Sequence, residues 1–168
     1  RVAAPNDLPM ILILGGSQGA RSINNVISQV NLSNYFVLHS VGASNELPTA
    51  TTNYRPVTYI NEMADALLAA DLIISRSGAI ACSEIAALGR YALFIPLPIG
   101  NGEQALNAQA LINAGRAELI MQRQFTSDWL ANHLPNLMKS ALESPETPLG
   151  TPINAPAELV AMIESVLT

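Results

Sequence analysis

Met10-Ile11-Leu12-Ile13-Leu14 is an unbroken apolar run of strand length, and Gly15-Gly16 follows it at once. A run with no polar alternation reads as a strand buried on both faces, the habit of parallel sheets covered by helices on each side. Ile23, Val26, Ile27 and Val30 then fall at helical spacing within residues 22–30. Strand, glycine-rich turn and helix in that order form a phosphate-binding arrangement. The pattern recurs. Asp71-Leu72-Ile73-Ile74 passes through Ser75-Arg76-Ser77-Gly78 into a helix over 79–88. A strand over 91–96 passes through a proline- and glycine-bounded loop into a helix over 103–114. Further strands are expected over 34–41, 56–60 and 117–121, with a polar loop at 42–55 and a helix over 61–70. A helix over 127–142, with Trp129, Leu130, Leu134 and Leu137 as core, should be interrupted or bent at Pro135. Four prolines mark 143–156 as a connector, ahead of a last amphipathic helix at 157–167. The alternation predicts a doubly wound α/β domain with a parallel sheet, over residues 10–168 after a linker at 1–9.

Hydrophobic residues make up 49% of the 168 and charged ones 12%, which suits a large interior and little disorder. The net charge of −5, with no basic cluster, argues against a nucleic-acid partner. Cys82 stands alone, so no disulfide framework or cysteine metal cluster is expected, and it reads as a small buried hydrophobe. No apolar run approaches the ~20 residues of a spanning helix, and no signal-peptide pattern is present. A soluble, reducing compartment is the default. The start at Arg1 rather than Met hints at a fragment or a processed chain.

Ligands of doubly wound sheets sit beyond the carboxyl ends of the strands, so the three glycine-marked loops should converge on one edge. Residues 15–21 suit a phosphate cradle. They are not a P-loop, because no Gly-Lys-Ser/Thr closes them. They are not a full dinucleotide fingerprint either, since the acidic residue expected ~20 positions on is missing. A tight turn with no ligand is the alternative. Gly78 lets a ligand approach the backbone, and the free N–H groups of the following helical turn point at whatever sits there. Glu84 is the only charge in an otherwise apolar helix, so it either reaches water or has a specific partner. A ribose diol is one such partner. Gln104 and Asn107 share a helix face and suit sugar hydroxyls, if they are not simply solvated. His39 reads as a packed strand histidine and His133 as a surface one. An anion cradle, a carboxylate for a diol and amides for a polyol fit a nucleotide-sugar better than a dinucleotide.

Three stretches together are familiar. They are Gly15-Gly16-Ser17-Gln18-Gly19-Ala20-Arg21, Arg76-Ser77-Gly78-Ala79 with Ser83-Glu84-Ile85-Ala86, and Gly102-Glu103-Gln104-Ala105-Leu106-Asn107-Ala108. In order and spacing the chain resembles the MurG family of bacterial peptidoglycan glycosyltransferases, from residue 10 to at least 115. The likeness covers only the C-terminal, donor-binding half of these two-domain GT-B enzymes. The resemblance implies a Rossmann-like fold and UDP-GlcNAc as ligand. The reaction it implies is transfer of GlcNAc to undecaprenyl-pyrophosphoryl-MurNAc-pentapeptide, lipid I to lipid II, at the inner face of the plasma membrane. Gly16, Ser17, Gln18 and Gly19 would meet the pyrophosphate and sugar, with Ser77, Gly78 and Ala79 at the facing helix start. The backbone of Ile60 would read the uracil edge with Tyr59 beside it. Glu84 would hold the ribose, and Gln104 with Asn107 the GlcNAc. Glu103 stands where relatives often carry Gln or His, and the loop Pro98-Ile99-Gly100-Asn101-Gly102 is similar to that of high-GC Gram-positive members. No cofactor or metal is implied. Catalytic groups are expected in an N-terminal acceptor-binding domain, the implied partner, which would bring the lipid-linked acceptor. Its glycine-rich motif and histidine have no counterpart here. Alternative readings are a naturally separate UDP-GlcNAc-binding subunit with a membrane partner, a UDP-GlcNAc epimerase, whose pattern residues 15–21 fit poorly, and, last, a dehydrogenase.

Overall fold

The computed structural model describes residues 8–16, 19–98 and 102–149. The strands are β1 (Met10–Leu14), β2 (Phe36–Ser40), β3 (Tyr54–Val57), β4 (Leu72–Ser75), β5 (Tyr91–Phe94) and β6 (Ala117–Leu119). They form one sheet in the order β3-β2-β1-β4-β5-β6, and every neighbouring pair is parallel. The helices are α1 (Arg21–Ile27), α2 (Met63–Ala69), α3 (Ala79–Ala87), α4 (Glu103–Asn107), α5 (Gln109–Asn113) and α6 (Ser127–Glu143).

Alternate residues of β1 enter different cores, which is why the run must be apolar throughout. Ile11 and Ile13 pack with Ile23 and Ile27 of α1 and with Leu130, Leu134 and Leu137 of α6. Met10, Leu12 and Leu14 pack with Ala66 and Leu67 of α2, Cys82 and Ile85 of α3 and Leu111 of α5. The doubly wound sheet expected from the sequence is therefore the observed one.

Several boundaries differ. The third strand is 54–57 rather than 56–60, so Ile60 lies in the loop beyond it. Pro56 is tolerated because β3 is an edge strand. The helix expected over 103–114 is two short helices meeting at Ala108. The α6 helix runs unbroken through Pro135. Pro135 and Ala131, whose carbonyl the ring deprives of a partner, are both exposed, so water can replace the lost bond. The stretch after α6 lies back on the domain: Arg116 donates to the Thr147 carbonyl (2.6 Å), and Leu149 N–H to the Ala86 carbonyl (2.8 Å). Residues 1–7 of the expected linker, 150–156 of the connector and the helix at 157–167 lie outside the described residues.

His39 on β2 is 1% exposed, and both ring nitrogens are engaged: Nδ1 with Tyr54 Oη (2.8 Å), Nε2 with Asn24 Oδ1 (3.0 Å). Asn24 Nδ2 donates to the Val41 carbonyl, which turns Oδ1 toward the ring. Nε2 must then carry the proton and Nδ1 accept from the tyrosine. Burial lowers the imidazole pKa to about 4. A folded value below the unfolded ~6.5 means the unfolded chain binds more protons between the two. His39 thus contributes stability in full above pH ~6.5 and loses it as pH falls toward 4, up to about 3 kcal/mol. Urea midpoints at pH 7 and pH 4.5 should show this loss in the parent and a smaller one in His39→Gln. Equal pH slopes would contradict it.

Candidate functional site

β1 pairs with β2 on one side and β4 on the other, so the chain winds away in opposite directions from that point. The divergence opens a crevice at the carboxyl ends of β1 and β4, where doubly wound sheets take their ligands. The loop after β1 forms one wall. Gly19 N–H donates to the Gly16 carbonyl (2.9 Å), and both glycines have positive φ, 75° and 85°. A Cβ on Gly19 would also strike the Val41 carbonyl, and one on Gly15 the main chain of Gly19 and Ala20. Glycine at 15 and 19 is thus demanded by the protein's own packing. Ser17 and Gln18, expected at this wall, lie outside the described residues.

The loop after β4 forms the other wall. Gly78 is the N-cap of α3 with φ −67° and ψ 151°, a conformation open to any residue, and a Cβ there would meet nothing within 4 Å. Neither backbone nor packing asks for glycine at 78. No side chain caps α3, and its first internal bond runs from Cys82 N–H to the Gly78 carbonyl. The N–H groups of Ala79, Ile80 and Ala81 are therefore without helical partners. Beside them Ser77 is fully buried, and its hydroxyl has no hydrogen-bond partner among the described residues. A buried unpaired hydroxyl costs about 1–3 kcal/mol and calls for a reason.

The third loop is tied to the second. Asn107 Nδ2 donates to the Ser77 carbonyl (3.1 Å), and Gln104 Oε1 accepts from Leu97 N–H (2.8 Å). Each amide spends one end on the frame, leaving Gln104 Nε2 as donor and Asn107 Oδ1 as acceptor. A groove of about 190 Å³ between α3 and α4–α5 is lined by Ala79, Ser83 and Asn107 among others. Glu84, in the second turn of α3, is exposed and has no side-chain partner among the described residues. On the loop after β3, Ile60 buries its side chain and Tyr59 is 60% exposed.

The spacing of the chain concealed Arg76. Its guanidinium reaches Ser22 on α1 and Gln122 beyond β6, which are 54 and 46 residues away in sequence. The legible signs were an arginine directly after a buried strand and its place at the head of the Arg76-Ser77-Gly78-Ala79 stretch. The two histidines stand apart from this edge's chemistry. His39 is held as described, and exposed His133 stacks on Trp129 with its Nδ1 on the Trp129 carbonyl (2.7 Å). A cavity of about 400 Å³ opens at the amino ends of β2 and β3, between Leu32, Pro48 and Tyr54, and no charged residue is among those lining it.

Comparison with known proteins decides the family. Residues 10–154 match the profile of the glycosyltransferase family 28 C-terminal domain. This chain belongs to that family. It is 48% identical over 128 residues to a protein of Corynebacterium glutamicum (strain R), covering 74% of this chain and 36% of that one. It is 45% identical over 143 residues to one of Streptomyces coelicolor, covering 79% and 39%. Both are named UDP-N-acetylglucosamine–N-acetylmuramyl-(pentapeptide) pyrophosphoryl-undecaprenol N-acetylglucosamine transferase. The chain thus spans well under half the length of these curated relatives. The crystal structure of Acinetobacter baumannii MurG superposes with a TM-score of 0.74 at 28% identity, over 95% of this chain and 50% of that one. The calicheamicin glycosyltransferase CalG4, at 17% identity and a TM-score of 0.68, shares the fold. The MurG resemblance seen in the three motifs is therefore upheld. No helix among the described residues is long and apolar enough to cross a membrane.

Proposed function

We propose that this domain binds UDP-GlcNAc as the donor half of a glycosyltransferase of peptidoglycan synthesis, the activity that its curated relatives' names state. The observation that carries the reading is the amino end of α3, with an uncapped first turn, an unpartnered buried Ser77 hydroxyl and a glycine at 78 that the protein itself does not require. Such an end favours a phosphate through its N–H groups and its dipole. In this reading Gly16, Ser17, Gln18 and Gly19 face the diphosphate from the other wall. Glu84 takes the ribose, the free ends of Gln104 and Asn107 take the sugar, and Ile60 with Tyr59 takes the uracil.

Transfer also needs a base within hydrogen-bond reach of the acceptor hydroxyl and a surface to hold that acceptor. His39 and His133 are committed elsewhere, so an N-terminal acceptor-binding domain supplies both in this reading. It would work at the inner face of the membrane, where the lipid-linked acceptor is. Exposed Ile80 (77%) and Leu106 (70%), on α3 and α4, offer it an apolar rim. By itself the domain binds donor and transfers nothing.

The test is a titration of the isotope-labelled chain followed by amide NMR. UDP and UDP-GlcNAc should move the signals of residues 15–21, 60, 77–84 and 104–107, and NAD should leave them in place. Displacement of UDP by NAD would refute the proposal.

A further inference from the structure

Arg76 is the first residue after β4, and its guanidinium gathers four acceptors from three other segments. Nη1 donates to the carbonyls of Ile95 (3.0 Å) and Pro96 (3.2 Å), which follow β5. Nη2 donates to Ser22 Oγ (2.8 Å) in the first turn of α1 and to Gln122 Oε1 (2.6 Å) beyond β6. Ser22 Oγ in turn donates to Gln122 Oε1 (3.1 Å), closing the cluster. None of these acceptors is a carboxylate, and the ion pairs among the described residues are Arg90–Glu146 and Lys139–Glu143. Arg76 is thus a half-buried cation that is well hydrogen-bonded and that no carboxylate among the described residues neutralises. Burial works against its charge and lowers its pKa.

The position of this cation matters. Ser22 lies just past the glycine loop after β1, Ile95 and Pro96 open the loop that leads to Gln104, and Arg76 itself adjoins Ser77. One side chain therefore ties the loop after β4 to the first turn of α1, the start of the loop after β5 and the turn after β6. Carbonyl and amide dipoles hold the guanidinium without cancelling its charge, and partial burial spares that charge much of the screening by salt. A lysine could not copy it, because one ammonium cannot meet acceptors spread over three segments in a planar fork.

We propose that Arg76 is the positioning residue for the diphosphate: its guanidinium sets the loops after β1, β5 and β6 in one frame, and its uncancelled charge favours the anion from behind, without touching it. The inference rests on the nucleotide-diphosphate reading above.

Uridine, UMP and UDP, titrated into the parent chain and into Arg76→Met, Arg76→Lys and Gln122→Ala, separate this role from a merely structural one. Arg76→Met should weaken UDP by about tenfold or more, UMP by less and uncharged uridine by under about twofold, a graded loss that follows ligand charge. Arg76→Lys keeps the charge and loses the fork, so UDP should weaken by about threefold. Equal losses for uridine and UDP, or an unchanged UDP affinity, would overturn the proposal. If the Arg76 variants do not fold, Gln122→Ala decides. It removes one acceptor and no charge, should weaken UDP by about threefold with uridine unchanged, and an unaltered UDP-to-uridine ratio would sink the idea. A parent chain that binds uridine but not UDP refutes the diphosphate reading itself, and the role of Arg76 with it. A parent that binds UDP, with Arg76 variants indifferent to ligand charge, refutes only the role.

Discussion

Gly78→Asp should be at least as stable as the parent and should bind UDP more than about a hundredfold more weakly. The two effects come from the same place. Position 78 has φ −67° and ψ 151°, extended backbone suited to an N-cap, and an added Cβ meets no atom within 4 Å. An aspartate there can accept from the free N–H groups of the first turn of α3 and complement its dipole, worth up to about 0.5 kcal/mol over glycine. The carboxylate then occupies the donors that a phosphate would use and repels a diphosphate directly. Lost hydrogen bonds and like-charge repulsion together exceed about 2.7 kcal/mol, hence the factor of a hundred. Urea denaturation and calorimetry read the two halves separately. UDP affinity within about threefold of the parent would show that no phosphate uses this helix end.

Glu84→Ala should weaken UDP by roughly ten- to a hundredfold with the fold unchanged. The carboxylate is exposed and bonded to nothing among the described residues, so its removal costs the domain little. Charge-assisted hydrogen bonds to two ribose hydroxyls would contribute roughly 1.5–3 kcal/mol after solvation is discounted. The control is 2′,3′-dideoxy-UDP. It should bind the parent about as weakly as UDP binds Glu84→Ala, and should lose nothing further on the variant. Equal affinity of the parent for UDP and its dideoxy analogue would remove the diol contact.

The fold was legible because burial on both faces writes itself into local sequence. Met10–Leu14 and Leu72–Ser75 lie inside the sheet, so apolar or small residues occupy every position, and a glycine-marked turn and a helix follow each. Boundaries were less legible where tertiary contacts overrule local preference. Ile60 looks like strand, yet it is held by the core while the chain has already left the sheet. Pro135 looks like a break, yet the apolar stripe from Leu130 to Ala141 holds α6 against the sheet, and the residue whose carbonyl the ring frees is exposed.

The sequence by itself determined which residues lie at the carboxyl edge, since each glycine-marked loop must follow its strand. It could not say why glycine stands at 15 and 19, where the main chain of Gly19, Ala20 and Val41 leaves no room for a Cβ. It could not say that Gly78 differs from these, because a φ of −67° and an empty space beyond Cβ are properties of assembled neighbours. Nor could it show which ends of Gln104 and Asn107 remain free, because their partners at Leu97 and Ser77 are chosen by packing. The Arg76 cluster was the least visible part. Its acceptors lie 19 to 54 residues away, and only closure of the parallel sheet brings α1, the loop after β5 and the turn after β6 around one guanidinium. Local periodicity encodes burial, which each segment records for itself. Hydrogen bonds between distant segments exist only once the sheet order has been set.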